Sequence, residues 1–369
     1  MTKHLAIFLA TSGHSGVDRI MKNLIPAIAA KGIRVDLLHI RNHGVYLDEI
    51  PANVRVVELG TAHTYTSLIP LIRYLKQQRP DVLLSDKDRV NRVSLWAKRL
   101  AGVPARVVVR NGTTVSKDLA GRDALDRWLH YISMHYWYPR ADAIIVPSQG
   151  AADDMARFAK LPDGRITVVR SPLVTEKIIQ DAKSSPDHPW FTNKSVPVIL
   201  GVGELSKQKG FDTLIQAFAI VRKTRRCKLV LLGKGRGRPM LESLVQELNL
   251  ADDVSLPGFV KNPFAYMMRA DVFVLSSTYE GFGNVLVEAL ALGTPVVSTD
   301  CPSGPRETLQ NGKYGRLVPV GDAAAMAQAI SDTLDHPMAS DMLKEAARPF
   351  YLDTSCNRYL EVLGLKDDA

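Results

Sequence analysis

This chain of 369 residues has little of what marks a disulfide-stapled, metal-binding or membrane-spanning protein. Its three cysteines, Cys227, Cys301 and Cys356, are odd in number and widely scattered. They build neither a disulfide framework nor a metal-ligand cluster, and they suit a reducing, cytoplasmic setting. The apolar run near the start, Leu5 to Ala10, is six residues long. That is too short for a signal core or a membrane span, and it reads as a first strand. No internal repeat or low-complexity tract is visible, and no nucleic-acid module signature occurs, so nucleic acid is not among the expected partners.

What is present is ample apolar material and an uneven charge. An apolar fraction of 46% supports two cores in a chain of this length. Residues 1–180 carry 26 Lys and Arg against 16 Asp and Glu, a balance of +10, whereas residues 181–369 carry 21 against 22, or −1. A basic first half attracts polyanions such as an anionic membrane face or a diphosphate-linked lipid. The plainer reading is a solvated face with dispersed lysine and arginine.

Both halves alternate strand, turn and helix, which predicts parallel sheets covered by helices on both faces, an α/β architecture. In the first half the strands are expected at 5–10, 35–40, 54–59, 82–85, 106–109 and 143–146, with helices at 19–31, 68–78, 93–101, 124–137 and 150–158. In the second they are expected at 198–202, 228–232, 254–256, 272–275 and 295–298, with helices at 211–222, 239–248, 284–292 and 323–334. A polar, proline-bearing stretch at 184–189 reads as a linker. The expected division is therefore 1–185 and 186–344.

The most informative segment runs from Ser276 to Gly293. The apolar run Val272–Leu275 precedes a glycine-rich turn, and Val285, Leu286, Ala289, Leu290 and Leu292 follow at helical spacing. Free N–H groups and the dipole at such a helix start favour an anion. Glu280 sits ahead of that anion and Glu288 on the second helical turn. One carboxylate can then reach hydroxyls on each side of a bound diphosphate, the layout needed to hold a sugar nucleotide. Upstream, Lys209 follows a strand and glycine turn and precedes Gly210, where a cation can neutralise a diphosphate leaving group. Lys207 is a weaker second candidate.

The spacing Glu280-x7-Glu288 with Gly293-Thr294-Pro295-Val296-Val297-Ser298 resembles the C-terminal signature of retaining family-4 glycosyltransferases of the GT-B fold. Ser15-Gly16-Val17-Asp18-Arg19 looks like that family's first glycine loop, and Val202-Gly203-Glu204-Leu205-Ser206-Lys207-Gln208-Lys209-Gly210 is similar to its phosphate-binding stretch. The resemblance is strongest to bacterial enzymes that build lipopolysaccharide, capsule or lipid-linked glycans. It implies two facing Rossmann-like domains, with a last helix (about 345–369) that crosses back to the first. It also implies transfer of a hexose or N-acetylhexosamine, with retention, from a nucleoside diphosphate donor, a UDP-sugar above all. The acceptor would be a glycan or a lipid-linked saccharide. Neither cofactor nor metal is implied, and the setting is cytoplasmic or peripheral on the inner membrane face.

Residue by residue, the resemblance places Gly16 against the donor diphosphate, Val260 beside the base, and Glu288 on the ribose hydroxyls. It places the N–H groups of Phe282, Gly283 and Asn284 on sugar or phosphate, and Glu280 on the transferred sugar. Closure of the domains would exclude water from that pocket. Two departures stand out. Glu204 occupies a position where relatives commonly carry arginine, so it must turn away or be compensated. Arg110 and Asn111 stand where many relatives carry a histidine; they can bind sugar or phosphate, but a general base is missing. No carboxylate is clearly placed as an enzymatic nucleophile, so front-face attack is expected, with the departing phosphate taking the acceptor proton. A sugar-nucleotide epimerase and a non-catalytic nucleotide-sugar-binding subunit remain open as alternatives.

Four further patterns carry weaker signals. Asp86-Lys87-Asp88 mimics an Asp-x-Asp metal motif, but two aspartates do not close a site, and no metal is expected there. Gly233-Lys234-Gly235-Arg236-Gly237 lacks the spacing and acidic partner of a dinucleotide fingerprint and reads as a basic loop. His14, the histidine within a glycine loop, reads as a surface residue. The aromatic segment from Asp126 to Arg140 fits a membrane interface or a core helix, and core is preferred because it has no continuous cationic face.

Overall fold

The structure, a computed structural model, describes residues 2–11, 16–41, 43–162, 164–280, 282–302 and 304–366. Among these the strands are β1 His4–Leu9, β2 Arg34–His39, β3 Val54–Glu58, β4 Val82–Asp86, β5 Arg106–Arg110, β6 Ala143–Val146 and β7 Ile166–Val168 in one sheet. A second sheet holds β8 Val198–Val202, β9 Lys228–Leu232, β10 Val254–Gly258, β11 Val272–Leu275, β12 Val296–Thr299 and β13 Arg316–Val318. The orders are β3-β2-β1-β4-β5-β6-β7 and β10-β9-β8-β11-β12-β13. Every strand pairing is parallel.

Parallel strands need crossover helices on both faces, so their side chains are buried on both sides. In β1, Ala6 and Phe8 enter one core together with Leu83, Val107 and Val109. Leu5, Ile7 and Leu9 enter another with Val82, Leu84 and Val108. The period-two alternation thus divides each central strand between two apolar layers. In the second sheet Ile199, Leu229, Leu231, Val272 and Val274 meet Leu214, Phe218 and Val221 of the Phe211–Thr224 helix.

The expected strands form with ends shifted by at most two residues, whereas β7 and β13 are additional. Both are three-residue edge strands with incomplete burial, too short to give a periodic signal. The chain divides into one unit of Met1–Pro172 with Leu352–Ala369 and a second of Leu173–Tyr351. The unit boundary therefore falls before the polar stretch at 184–189. The Glu176–Ala182 helix belongs to the second unit, where Asn262 Nδ2 donates to the Asp181 carbonyl at 2.7 Å and Arg269 to the Ala182 carbonyl at 2.9 Å.

The Leu352–Leu363 helix closes the first unit. Its Cys356, Tyr359, Leu360 and Leu363 fill the core with Met21, Ile25 and Ile28 of the Gly16–Ala30 helix. The preceding Ser340–Ala347 helix lies in the second unit, so the return of the chain begins at Leu352 and not at about 345. Among the described residues no helix is long and apolar enough to cross a membrane.

Candidate active site

In an open parallel sheet a ligand crevice lies beyond the carboxyl ends of the strands where the strand order reverses. In the second unit that point is between β8 and β11. After β8 the chain turns through the Lys207–Lys209 3-10 turn and enters the Phe211–Thr224 helix at Gly210. Gly210 has φ +59°, and a Cβ there would stand 2.2 Å from the Ser276 carbonyl oxygen. Only glycine permits that approach. The loop after β11 is stitched to this turn: Thr278 N–H donates to the Gln208 carbonyl at 2.8 Å, Gln208 Nε2 to the Tyr279 carbonyl at 3.0 Å, and Ser276 Oγ to the Lys209 carbonyl at 2.7 Å.

Lys209 and Glu280 meet in this stitched loop pair. Lys209 Nζ lies 2.6 Å from Glu280 Oε1, and Ser277 Oγ donates to the same oxygen at 2.6 Å. Both side chains are largely shielded from water. The Lys209 stem runs close over Gly203, where a Cβ would sit 3.2 Å from its methylenes. Beneath the pair, Thr299 Oγ1 donates to the Ser277 carbonyl at 2.6 Å, and burial pushes the Cys301 thiol up to about 11.

Of the remaining donor-site candidates in this unit, Glu204 follows β8, Phe282, Gly283, Asn284 and Glu288 follow β11, and Val260 follows β10. Gly283, at φ +84°, caps the Asn284–Ala291 helix, and Glu288 on its second turn is fully buried. Phe282 is buried with its ring 5.3 Å from that of Phe350, and its carbonyl would clash at 2.0 Å with a Cβ on Gly304. Asn284 opens the helix and is half-buried. Val260 follows β10 and is half-buried beside an exposed Phe259, over whose ring Lys234 Nζ sits at 5.3 Å. Glu204 is exposed, so water screens its charge from the Lys209–Glu280 pair. Gly281 lies outside the described residues.

The glycines at 233–237 have a packing role that the sequence did not disclose. A Cβ on Gly233 (φ +149°) would lie 1.8 Å from the Gly203 carbonyl oxygen, and one on Gly235 would lie 2.2 Å from that of Leu205. Gly237 N–H donates to the Leu205 carbonyl at 2.8 Å. The loop after β9 thereby supports the loop that carries Lys209.

In the first unit the order reverses between β1 and β4, and a cavity of about 410 Å³ opens there. Asp86, Arg89, Asn111, Arg122, His130 and Met134 are among its walls. Gly16 starts the adjoining helix with open space around it, while Ser15 and His14 lie outside the described residues.

Arg110 takes a different place from the one expected. It is fully buried, its guanidinium paired with Asp86 while Nε donates to Tyr359 Oη at 2.9 Å. Burial opposes the charge, but Tyr359 and Asp86 outweigh it and hold the guanidinium protonated. Arg110 therefore joins β4, β5 and the last helix, with no exposed donor for a ligand. Asp88 is likewise engaged: Arg92 pairs with it and Ser133 Oγ donates to it at 2.7 Å. Asn111 borders the cavity, its Oδ1 accepting from Thr113 N–H and Oγ1 at 3.1 Å each.

His130 is a cavity residue that the motifs did not point to. Its Nδ1–H donates to the Asp126 carbonyl at 2.8 Å, and Nε2 lies 3.7 Å from Asp88 Oδ2. It lies one helical turn before Met134, and that spacing is the signal in the sequence that could have placed both on one wall.

The aromatic segment is also only partly core. Ser133, Met134 and Tyr138 are buried, but Leu125, Trp128, Leu129 and Tyr136 are exposed. The helix ends at Ile132 and continues as a π-turn over Ser133–Trp137, which interrupts the expected 3.6-residue period.

Comparisons with known proteins bear on the fold and the family. A family model described as "Glycosyl transferase 4-like domain" matches residues 15–172, and one described as "Glycosyl transferases group 1" matches residues 186–350. The chain is 29% identical to an N-acetylgalactosamine-N,N'-diacetylbacillosaminyl-diphospho-undecaprenol 4-alpha-N-acetylgalactosaminyltransferase of Campylobacter jejuni, over 93% of each chain. It is 26% identical to the lipopolysaccharide core biosynthesis glycosyltransferase LpsE of Rhizobium meliloti, over 95% of this chain and 96% of that one. Its fold superposes on HepE of Anabaena, solved in complex with UDP, with a TM-score of 0.76 at 18% identity, over 99% of this chain and 100% of that one. With two family models matched in order and a Rossmann-like sheet in each unit, the chain belongs to the glycosyltransferases of GT-B fold.

Proposed function

We propose that the chain transfers a hexose or N-acetylhexosamine from a nucleoside diphosphate sugar, a UDP-sugar in first place, to a hydroxyl of a glycan or lipid-linked saccharide, with retention at the anomeric carbon. The observation that carries this reading is the Lys209–Glu280 pair, held at the strand-order reversal of the second unit by two interlocked loops. The Campylobacter jejuni relative is named for an acceptor on diphospho-undecaprenol, and HepE was solved with UDP. The second fits a donor diphosphate at this point, and the first fits a lipid-linked acceptor.

In the proposed complex the donor diphosphate meets Lys209 and the N–H groups of Phe282, Gly283 and Asn284 at the helix start. Glu288 accepts from the ribose hydroxyls, Val260 borders the base, and Glu280 turns to the hydroxyls of the transferred sugar. The bond between the anomeric carbon and the diphosphate oxygen breaks as the acceptor oxygen bonds from the same face, and the acceptor proton passes to the departing phosphate. A preorganised cation at the leaving group is the chief aid to such a step. Asp86 and Asp88 are already neutralised by Arg110 and Arg92, which supports a site that relies on Lys209 rather than a metal for charge. Asn111 and the cavity of the first unit are assigned to the acceptor, at an inner membrane face where that acceptor is lipid-linked. Arg110 is assigned no contact with either substrate.

Incubation with radiolabelled UDP-, GDP- and ADP-sugars and a polyprenyl diphosphate saccharide tests the reading. Transfer of label with an unchanged anomeric configuration, read by NMR of the product, is the expected result. Isomerised free donor would identify an epimerase instead, and binding without turnover a non-catalytic subunit.

A further inference from the structure

Lys87 is a strained residue on the wall of the first unit's cavity. It stands between β4 and the Asp88–Ala101 helix with φ +74° and ψ 141°, a backbone region that residues with a Cβ rarely enter. Such a conformation persists only where the surroundings fix it, and it gathers at functional positions. Here the fixing groups are explicit. Asp86 Oδ1 accepts the Lys87 N–H at 2.8 Å, and the other oxygen of that carboxylate is paired with Arg110. The Lys87 carbonyl accepts the Asn91 N–H at 2.9 Å, while Asn91 Nδ2 donates to the Arg110 carbonyl at 2.9 Å. Both ends of the strained residue are thus tied to Arg110. Arg110 is held in turn by Tyr359 Oη, which reaches it from the Leu352–Leu363 helix.

The side chain that this backbone presents is unspent. Lys87 is exposed, and its ammonium has neither ion pair nor hydrogen bond among the described residues. The carboxylates among the cavity walls are occupied, Asp86 by Arg110, Asp88 by Arg92 and Asp118 by Arg122. Asp86 and Arg110 are register partners in β4 and β5, so Lys87 and Asn111 follow at neighbouring strand ends. Asn111 is only 6% exposed. Its Oδ1 accepts from Thr113, which fixes the orientation of the amide, and Nδ2 has no partner among the described residues. A free ammonium beside a free, nearly buried amide N–H suits an anion with several acceptor oxygens, and phosphate is such a group.

We propose that Lys87, with Asn111, binds a phosphate-type anion of the acceptor, and that Tyr359 is a positioning residue that acts on Lys87 through Arg110 and Asp86. The last helix thereby sets the backbone of a cavity to which it contributes no wall. That the anion belongs to an acceptor rests on the function proposed above. It can be the diphosphate of a lipid-linked saccharide or a phosphate carried on the glycan.

The test measures acceptor KM, and acceptor Kd in the absence of donor, for one saccharide in three forms: a farnesyl diphosphate, a sugar monophosphate and a neutral octyl glycoside. Wild type should prefer a phosphate-bearing form, and whichever of the two it prefers identifies the source of the anion. Lys87→Gly should lose about ten- to a hundredfold of that preference, the range for a hydrogen bond to a charged group. Its thermal midpoint should be no lower than wild type, because glycine accepts a positive φ. Tyr359→Phe should reduce the same preference by a smaller factor and should add nothing once Lys87→Gly is present. A tyrosine with a merely structural role would not show that non-additivity. The proposal is overturned by a wild type indifferent to phosphate, by a Lys87→Gly variant with undiminished preference, or by independent effects of the two substitutions. Lys87-dependent binding of a phosphate-bearing saccharide by a chain that transfers no sugar would uphold the site and defeat the proposed reaction.

Discussion

Lys209 and Glu280 stand 71 residues apart in the chain and form a 2.6 Å ion pair. They come together because β8 and β11 are neighbours at the reversal of strand order, so their carboxyl-end loops share one crevice. Ser277 holds Glu280, and Gly203 leaves room for the Lys209 stem. In the donor complex proposed above, an incoming diphosphate would compete with Glu280 for the ammonium group and free the carboxylate for the sugar it accompanies.

Lys209→Ala should lower kcat by about 10²–10³-fold, the range typical for loss of one preorganised charge-stabilising donor. Glu288→Gln should act chiefly on donor KM, because the proposed function sets Glu288 against the part of the donor that does not react. Steady-state kinetics on both variants separates the two roles. Unaltered kinetics in both would remove this crevice from the reaction.

The close loop contacts make a second expectation. Gly210→Ala and Gly233→Ala each force a side chain into a left-handed backbone and against a carbonyl oxygen, at 2.2 Å and 1.8 Å. Each should cost at least about 1–3 kcal/mol of stability on backbone strain. Urea unfolding measures the loss. Gly16→Ala, with nothing within 4 Å, is the control that should leave stability near wild type.

Arg110→Met leaves Asp86 as an uncompensated buried charge and should destabilise the protein by about 3–5 kcal/mol. Adding Asp86→Leu removes that charge and should restore much of the loss, since an apolar pair of similar volume often replaces a buried ion pair without penalty. Chemical denaturation of the single and double variants checks this. A double variant no more stable than Arg110→Met would show that the pair is not the reason for the arginine.

Acid stability depends on Asp36 in the first unit. Burial raises its pKa, but hydrogen bonds from His4, Arg55 and Tyr74 outweigh that effect and hold the carboxyl well below its ordinary value of 3.8. A depressed folded pKa contributes stability that is fully present above the unfolded value and is lost as pH falls towards the folded one. Thermal midpoints measured from pH 7 downward should therefore fall for wild type below about pH 4, while Asp36→Asn starts lower and changes less over that range. Parallel curves would exclude Asp36 as a source of the acid sensitivity.

Local sequence was enough to place most elements because long apolar strands and amphipathic helices announce their periods. Val198–Val202, Lys228–Leu232 and Val272–Leu275 form where their apolar runs predict them. The edge strands Ile166–Val168 and Arg316–Val318 escaped because three residues are too few to carry a period. Around the candidate site, the glycine turn and the placing of Lys209, Glu280 and Glu288 beside it were legible, as each lies in a short motif. Arg110 and His130 were not. A fully buried cation and an exposed one look alike in sequence, and Asp86 and Tyr359, which surround Arg110, are 24 and 249 residues away.

By itself, then, the sequence determined two α/β halves, the glycine turns and the residue types gathered at the strand ends, because these follow from contacts between residues near one another in the chain. Tertiary structure alone decided that Lys209 pairs with Glu280, that Arg110 is sealed behind the last helix, and that Trp128 lies outside while Met134 lies within. Those outcomes depend on which distant strands become neighbours and on which side of a helix the rest of the chain covers. Hydrophobic periodicity describes a face but does not name what will bury it.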